Sequence, residues 1–220
     1  MTSPGTAAPR PESGCGGSTN SGARLGPGWV VAGVALFWVL TVVAGLLAPG
    51  YSARADYVSS LAGRGSSVAV LGVAALTVLG LAHLAAAAVV RGWVAAPLAL
   101  AGLCGLAVAW FRTACPLGAA GCGSGANETV PDLADTVHYL AVVGYEVALV
   151  VAMLGVAVRL RGARPVVAAL TVTAAVASVV LALQIGGPDL GAWQRAWLAV
   201  NTAWPAALAL TVYRPRSHTG

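Results

Sequence analysis

Residues 28–48 read GWVVAGVALFWVLTVVAGLLA and are closed by Pro49-Gly50. Wound as a helix, this run rises about 31 Å. That matches the roughly 30 Å hydrocarbon core of a bilayer. Five further apolar stretches follow, at 67–90, 94–111, 133–158, 165–185 and 193–213. The expected fold is all-α: a polytopic bundle of six transmembrane helices over residues 28–213. The first run is also longer than the apolar core of a signal peptide. Retention as a membrane helix is therefore expected over cleavage near Ala53-Arg54-Ala55.

Composition fixes the same solvent. The chain is 58% hydrophobic and only 9% charged, with a mean hydropathy of +0.83. So few charges do not cover the surface of a soluble domain of this length. Residues 1–27, rich in Gly, Ser, Pro and Thr, are expected to be a disordered tail, and 214–220 a second short tail. The formal net charge of +5 comes with 12 Arg and no Lys. These charges lie between apolar runs rather than on one face, and no nucleic-acid motif is present, so nucleic acid is not an expected partner. The expected partners are membrane lipids and a small molecule or lipid ligand.

Arg placement gives orientation. With the N-terminus inside, Arg10, Arg24, Arg91, Arg159, Arg161, Arg164, Arg214 and Arg216 fall inside, and Arg54, Arg64, Arg112 and Arg195 outside. Both termini are therefore expected in the cytoplasm of a cell (inner or plasma) membrane protein. Cys115 and Cys122 then share an outer loop at short spacing, where a disulfide between them is expected over two free thiols. Asn127-Glu128-Thr129 is a glycosylation sequon in that loop. Cys104 is expected to be a small buried apolar residue, and Cys15 to stay reduced. Trp38, Trp93, Trp110, Trp193 and Trp197 fall toward run ends, as belt anchors do. Trp204 stands deeper and is a candidate cavity wall. Pro205 is expected to kink the sixth helix.

Two places could carry chemistry. Residues 51–61, too polar to cross the membrane, suit a short interfacial helix opened by Ser52. It is either a connector held by Tyr anchors or a lid over an outward-facing pocket, with Ser52, Asp56 and Ser59 facing that pocket. The fourth run places Asp135, His138 and Glu146 on one face. Asp135 is expected to accept the His138 ring N–H near the outer surface. Glu146 is expected near midplane, facing inward because an ionisable group in lipid is expensive. Its expected partners are His83, Asn201 or backbone near a kink. The cluster reads either as a structural clamp or as a proton relay or substrate site. His83 itself reads as a packing residue or a ligand. His83 and His138 should lie at different depths, and neither His-x-x-x-His nor Cys-x-x-Cys occurs, so no metal and no cofactor is expected.

Tyr51-Ser52, then Asp56-Tyr57-Val58-Ser59-x-Leu61, resembles the loop after the first helix in the bacterial membrane-protein family called domain of unknown function 998. The Phe111–Cys122 stretch and Thr136-x-His138 are similar to that family as well. The resemblance covers about residues 28–213. Two departures stand out: Ala53-Arg54 replaces a pair that usually contains Pro, and Arg112-Thr113-Ala114 precedes the first loop Cys. The resemblance implies a six-helix inner-membrane protein and assigns no activity. The Ala-, Arg- and Gly-rich composition is similar to that of high-GC actinobacterial proteins.

Three function classes stay open. The chain is a binding or scaffolding membrane protein, an enzyme acting on a lipid, or a small proton-coupled transporter using Glu146. The enzyme would use Asp135, His138, Ser52, Asp56 or Ser59 as acid–base groups. No nucleotide-binding motif is present, so energy from ATP would need another subunit. No inverted repeat of broken helices is evident either.

Overall fold

The computed structural model describes residues 26–113 and 132–212. Six α-helices account for most of them: α1 Pro27–Leu47, α2 Ala69–Val90, α3 Ala95–Trp110, α4 Leu133–Leu160, α5 Pro165–Leu183 and α6 Leu190–Val212. No strand occurs among the described residues. The tails, the Cys115 and Cys122 pair and the Asn127 sequon lie outside them.

Local chemistry explains several helix ends. Pro27 and Pro165 open α1 and α5, where a missing N–H leaves no bond unmade. Asp132 caps α4: its carboxylate accepts from Asp135 N at 2.9 Å, and Asp135 returns the bond to Asp132 N at 3.2 Å. This reciprocal pair satisfies two orphan donors of the first turn. α6 begins three residues earlier than the apolar run, because Asp189 O accepts from Ala192 and Trp193 N.

Four helices are long and apolar enough to cross a membrane: α1, α2, α4 and α5. The chain is therefore a multi-pass membrane protein. The six expected helices are present, and α3 and α6 differ from these four. α3 has 16 residues, a rise of about 24 Å. α6 is diluted by Gln194, Arg195, Asn201 and Thr202, all but Arg195 buried.

α2 is the hub. It packs on α1, α3 and α6, while α3 packs on α4, α4 on α5 and α5 on α6. Small residues let the backbones approach. A Cβ on either Gly80 or Gly102 would stand 2.8 Å from the carbonyl oxygen of the other, so α2 and α3 meet backbone to backbone. Phe37, Leu98, Leu149 and Met153 are fully buried. The outward faces of α1 and α5 expose Leu46, Leu47, Leu170 and Leu183, which suits lipid rather than water as the surrounding phase. Successive helices run antiparallel, so the connections gather at two ends. One carries the 48–68 segment, the starts of α4 and α6 and Asp56; the other carries Arg91 and Arg159.

The 48–68 segment is not the interfacial helix the sequence predicts. Ser52 O accepts from Ala55 and Asp56 N in one turn, and the only helical piece is a 3-10 turn, Ser59–Ala62. α6 takes the backbone groups a helix would need. Gln194 Oε1 accepts from Val58 N at 2.6 Å. Arg195 donates to Ala53 O and Asp56 O. Ala192 N donates to Arg54 O.

Candidate functional site

The polar residues fall into three clusters. The first is the clamp on the 48–68 segment. Arg195 also donates to the Tyr51 hydroxyl and sits over the Tyr51 ring, 5.5 Å from its centre. Arg112 donates to Ala62 O at 2.6 Å and Gly63 O at 2.9 Å. Arg54 pairs with Asp189, and its hydrogen bond holds the Asp189 carboxyl below the usual carboxylate range. Burial pushes the Tyr51 phenol up, against the opposing pull of Arg195. Exposed ion pairs such as Arg54–Asp189 contribute little, because water and salt screen them. The partly buried guanidinium–carbonyl bonds therefore hold the segment. Within it, Asp56 is buried and its Oδ2 accepts from Ser52 N at 2.6 Å. The Ser52 hydroxyl oxygen accepts from Ala55 N.

The second cluster opens α4. Arg64 pairs with Asp132 and lies 3.9 Å from Asp135. The Asp135 backbone N–H, ahead of the Arg64 bond, holds the Asp132 carboxyl low. His138 is buried, and its Nδ1 lies 2.8 Å from Phe111 O. The expected Asp135–His138 bond is thus replaced. Phe111 ends α3, its carbonyl has lost its helical donor, and the imidazole supplies one. Asp135 is committed to the helix cap. The bonds of Ser52 and Asp56 lie within the turn after α1, and those of Asp135 and His138 at the α3–α4 end.

The third cluster lies inside the bundle and joins four helices. Glu146 of α4 accepts from Trp197 Nε1 at 2.9 Å and from Asn201 Nδ2 at 3.2 Å. Ser178 Oγ of α5 stands 2.9 Å from both carboxyl oxygens and 2.8 Å from Asn201 Oδ1. One hydroxyl hydrogen thus faces three acceptors. His83 of α2 is fully buried. Its Nδ1 lies 2.9 Å from Leu79 O, and its Nε2 lies 3.2 Å from the Tyr145 hydroxyl and 3.3 Å from Asn201 O. Tyr145 stands edge-on between the His83 and Trp197 rings. Glu146, Asn201 and His83, singled out by sequence, do come together. His83 meets Glu146 through Asn201 and Tyr145 rather than directly.

A cavity of about 40 Å³ adjoins this cluster between α2, α3, α4 and α6. Val58 and Ser59 border it from the segment, and Tyr145, Trp197 and Gln194 border it from the bundle. The rest of its lining is mainly Leu and Val.

A family model described as "Protein of unknown function (DUF998)" matches residues 31–211. The chain belongs to the DUF998 family. No curated protein and no solved structure matches it. The DUF998 match spans every residue of the three clusters.

Sequence reasoning missed several partners in this DUF998 chain. Trp197 is 4% exposed and bonded to Glu146, not a belt anchor. Trp38 turns inward and donates to Thr202 at 3.2 Å. Trp204 donates to Thr171 and does not border the cavity. Ser178 carried no signal, being one small hydroxyl in an apolar run. Gln194 and Arg195 carried one: a charge and an amide at the start of an otherwise apolar helix need partners. Among the described residues, no group of three His, Cys, Asp or Glu has the geometry to hold a metal.

Proposed function

We propose that the protein is a six-span cell-membrane protein that binds a small amphipathic molecule in the cavity beneath Val58 and Ser59. One observation carries this reading. The two aromatic groups bordering the cavity, Tyr145 and Trp197, are those bonded to His83 and Glu146. An occupant thus meets apolar walls and a hydrogen-bonded polar floor, the mixture typical of small-molecule sites. The present volume holds roughly three waters, so the occupant is small or enters as the segment yields. Purified protein titrated with a brominated short-chain alkanol should show quenching of Trp197 fluorescence. Trp197→Phe should remove that component, and Val142→Phe, which fills the cavity, should abolish it. Equal quenching in wild type and Val142→Phe would overturn the reading.

A second reading, a proton-coupled carrier, is favoured by hydrogen-bond arithmetic. Glu146, Ser178 and Asn201 form a ring of three contacts, and each contact needs one hydrogen. The Ser178 hydroxyl supplies one and the Asn201 amide another. A proton on the carboxyl supplies the third. Exchanging the amide nitrogen and oxygen leaves the count unchanged. Glu146 then holds an exchangeable proton within the membrane, as proton-coupled carriers require.

We place both termini in the cytoplasm. Eight of twelve Arg then lie inside, and the described acidic residues other than Glu146, namely Asp56, Asp132, Asp135 and Asp189, all lie at the opposite end. A Gly162→Cys variant should react with an impermeant maleimide only after cells are opened. Labelling of intact cells would reverse the orientation.

A further inference from the structure

The two ends of the bundle carry equal numbers of described Arg residues but treat them differently. Arg54, Arg64, Arg112 and Arg195 stand among Asp56, Asp132, Asp135 and Asp189, and each makes an ion pair or a carbonyl bond within the chain. Arg91, Arg159, Arg161 and Arg164 stand at the other end with no described acidic residue. Among the described residues, that end thus carries four positive charges with no acidic partner. Arg159 Nη1 donates to Arg91 O at 3.1 Å, and Arg164 Nη1 donates to Thr211 O at 2.7 Å. Neither bond neutralises charge, and no ion pair forms on these residues among those described.

The arrangement around Arg159 is built rather than loose. Arg91 ends α2 with φ +54°, a left-handed conformation rare for a side-chain-bearing residue. That geometry turns its carbonyl toward α4, where Arg159 takes it. The Arg159 guanidinium is thereby fixed against the α2–α3 turn, leaving its other N–H groups unused. Arg161 follows in the exposed turn after α4. Below them, Val143, Val147, Val151, Leu154 and Val158 form an exposed apolar stripe down α4 at three- and four-residue spacing. Trp93, 62% exposed, lies beside it, against the Gly155 position of α4. A planar guanidinium matches phosphate geometry, an acyl chain matches the stripe, and an indole suits the interface between them.

We propose that Arg91, Arg159 and Arg161 bind the phosphate of an anionic phospholipid whose acyl chain lies along the α4 stripe. Among the described residues no carboxylate stands at this end to meet a choline or ethanolamine cation, which favours an anionic headgroup over a zwitterionic one. The site lies at the end away from the cavity and stands whether or not the cavity takes a ligand.

Native mass spectrometry of the full chain, purified in detergent with phosphatidylglycerol or phosphatidylcholine, tests this. Wild type should retain phosphatidylglycerol about tenfold better than phosphatidylcholine, in line with the attraction of two or three interfacial Arg for anionic lipid. The pair R159Q and R161Q should erase the preference, while R54Q at the other end should leave it intact. R161Q alone, which breaks no bond within the chain, should reduce it and guards against misfolding of the pair. Equal retention of both lipids by wild type, or a preference untouched by R161Q and by the pair, would overturn the proposal. Displacement of phosphatidylglycerol by millimolar inorganic phosphate would overturn it in favour of a free-anion site.

Discussion

Gly191→Ala is expected to detach the 48–68 segment from α6 and to cost about 3 kcal/mol, within the range for overpacking plus lost charged hydrogen bonds. A Cβ at Gly191 would stand 2.8 Å from Asp56 N and 2.9 Å from Ala53 O, and closer still to Asp56 O. All three are backbone atoms and do not swing aside as a side chain does. Moving the segment away lengthens the Gln194–Val58 and Arg195–Ala53 bonds together, because both start from the first turns of α6. Thermal unfolding in detergent should show the loss, and protease should cut between residues 50 and 60 more readily. Gly186→Ala is the control: a Cβ there meets nothing within 4 Å. If Gly191→Ala unfolds at the same temperature as Gly186→Ala, the segment is not held as described.

Glu146→Ala is the second large effect. It leaves the Trp197 indole and the Asn201 amide without their acceptor and opens space among four helices. Hydrogen bonds between membrane helices average well under 1 kcal/mol when both partners are removed. Orphaning a buried donor costs about 1–3 kcal/mol each, so orphaning decides the sum, and a loss of about 3 kcal/mol is expected. Glu146→Gln should cost much less. Its amide oxygen accepts from Trp197 and Asn201, and its N–H₂ donates toward Ser178 Oγ, as a carboxyl hydrogen would in the proposed ring. The same variant reports the proton. The infrared difference between wild type and Glu146→Gln should contain a carboxylic-acid carbonyl band in the proton-bearing ring, and a carboxylate band otherwise. Equal stability of the Ala and Gln variants would show that the ring contributes nothing to the bundle.

The three clusters differ in what occupies their polar groups. Asp135, His138, Ser52 and Asp56 looked reactive because polar groups near a membrane surface often are, yet each is occupied by a cap, a chain end or a turn. These bonds make them parts of the closure over the bundle end. Glu146 is different, since it lies among helices that could have been wholly apolar and is met by donors from two of them.

The membrane as solvent was legible in the chain itself. So were the six helical stretches, most of their ends within about three residues, and the inward turn of Glu146. Run length, proline position and the expense of a carboxyl in hydrocarbon are local properties that hold before any helix meets another. The 3-10 turn in place of an interfacial helix was not legible, because α6, more than a hundred residues later, takes the backbone bonds a helix would need. Nor were Ser178 and Trp197 as partners of Glu146. Their roles depend on which helices adjoin and at what register, and an apolar helix facing lipid reads much like one facing another helix. The tertiary structure alone chose the carbonyl that His138 meets, because that bond depends on groups far apart in sequence reaching the same place.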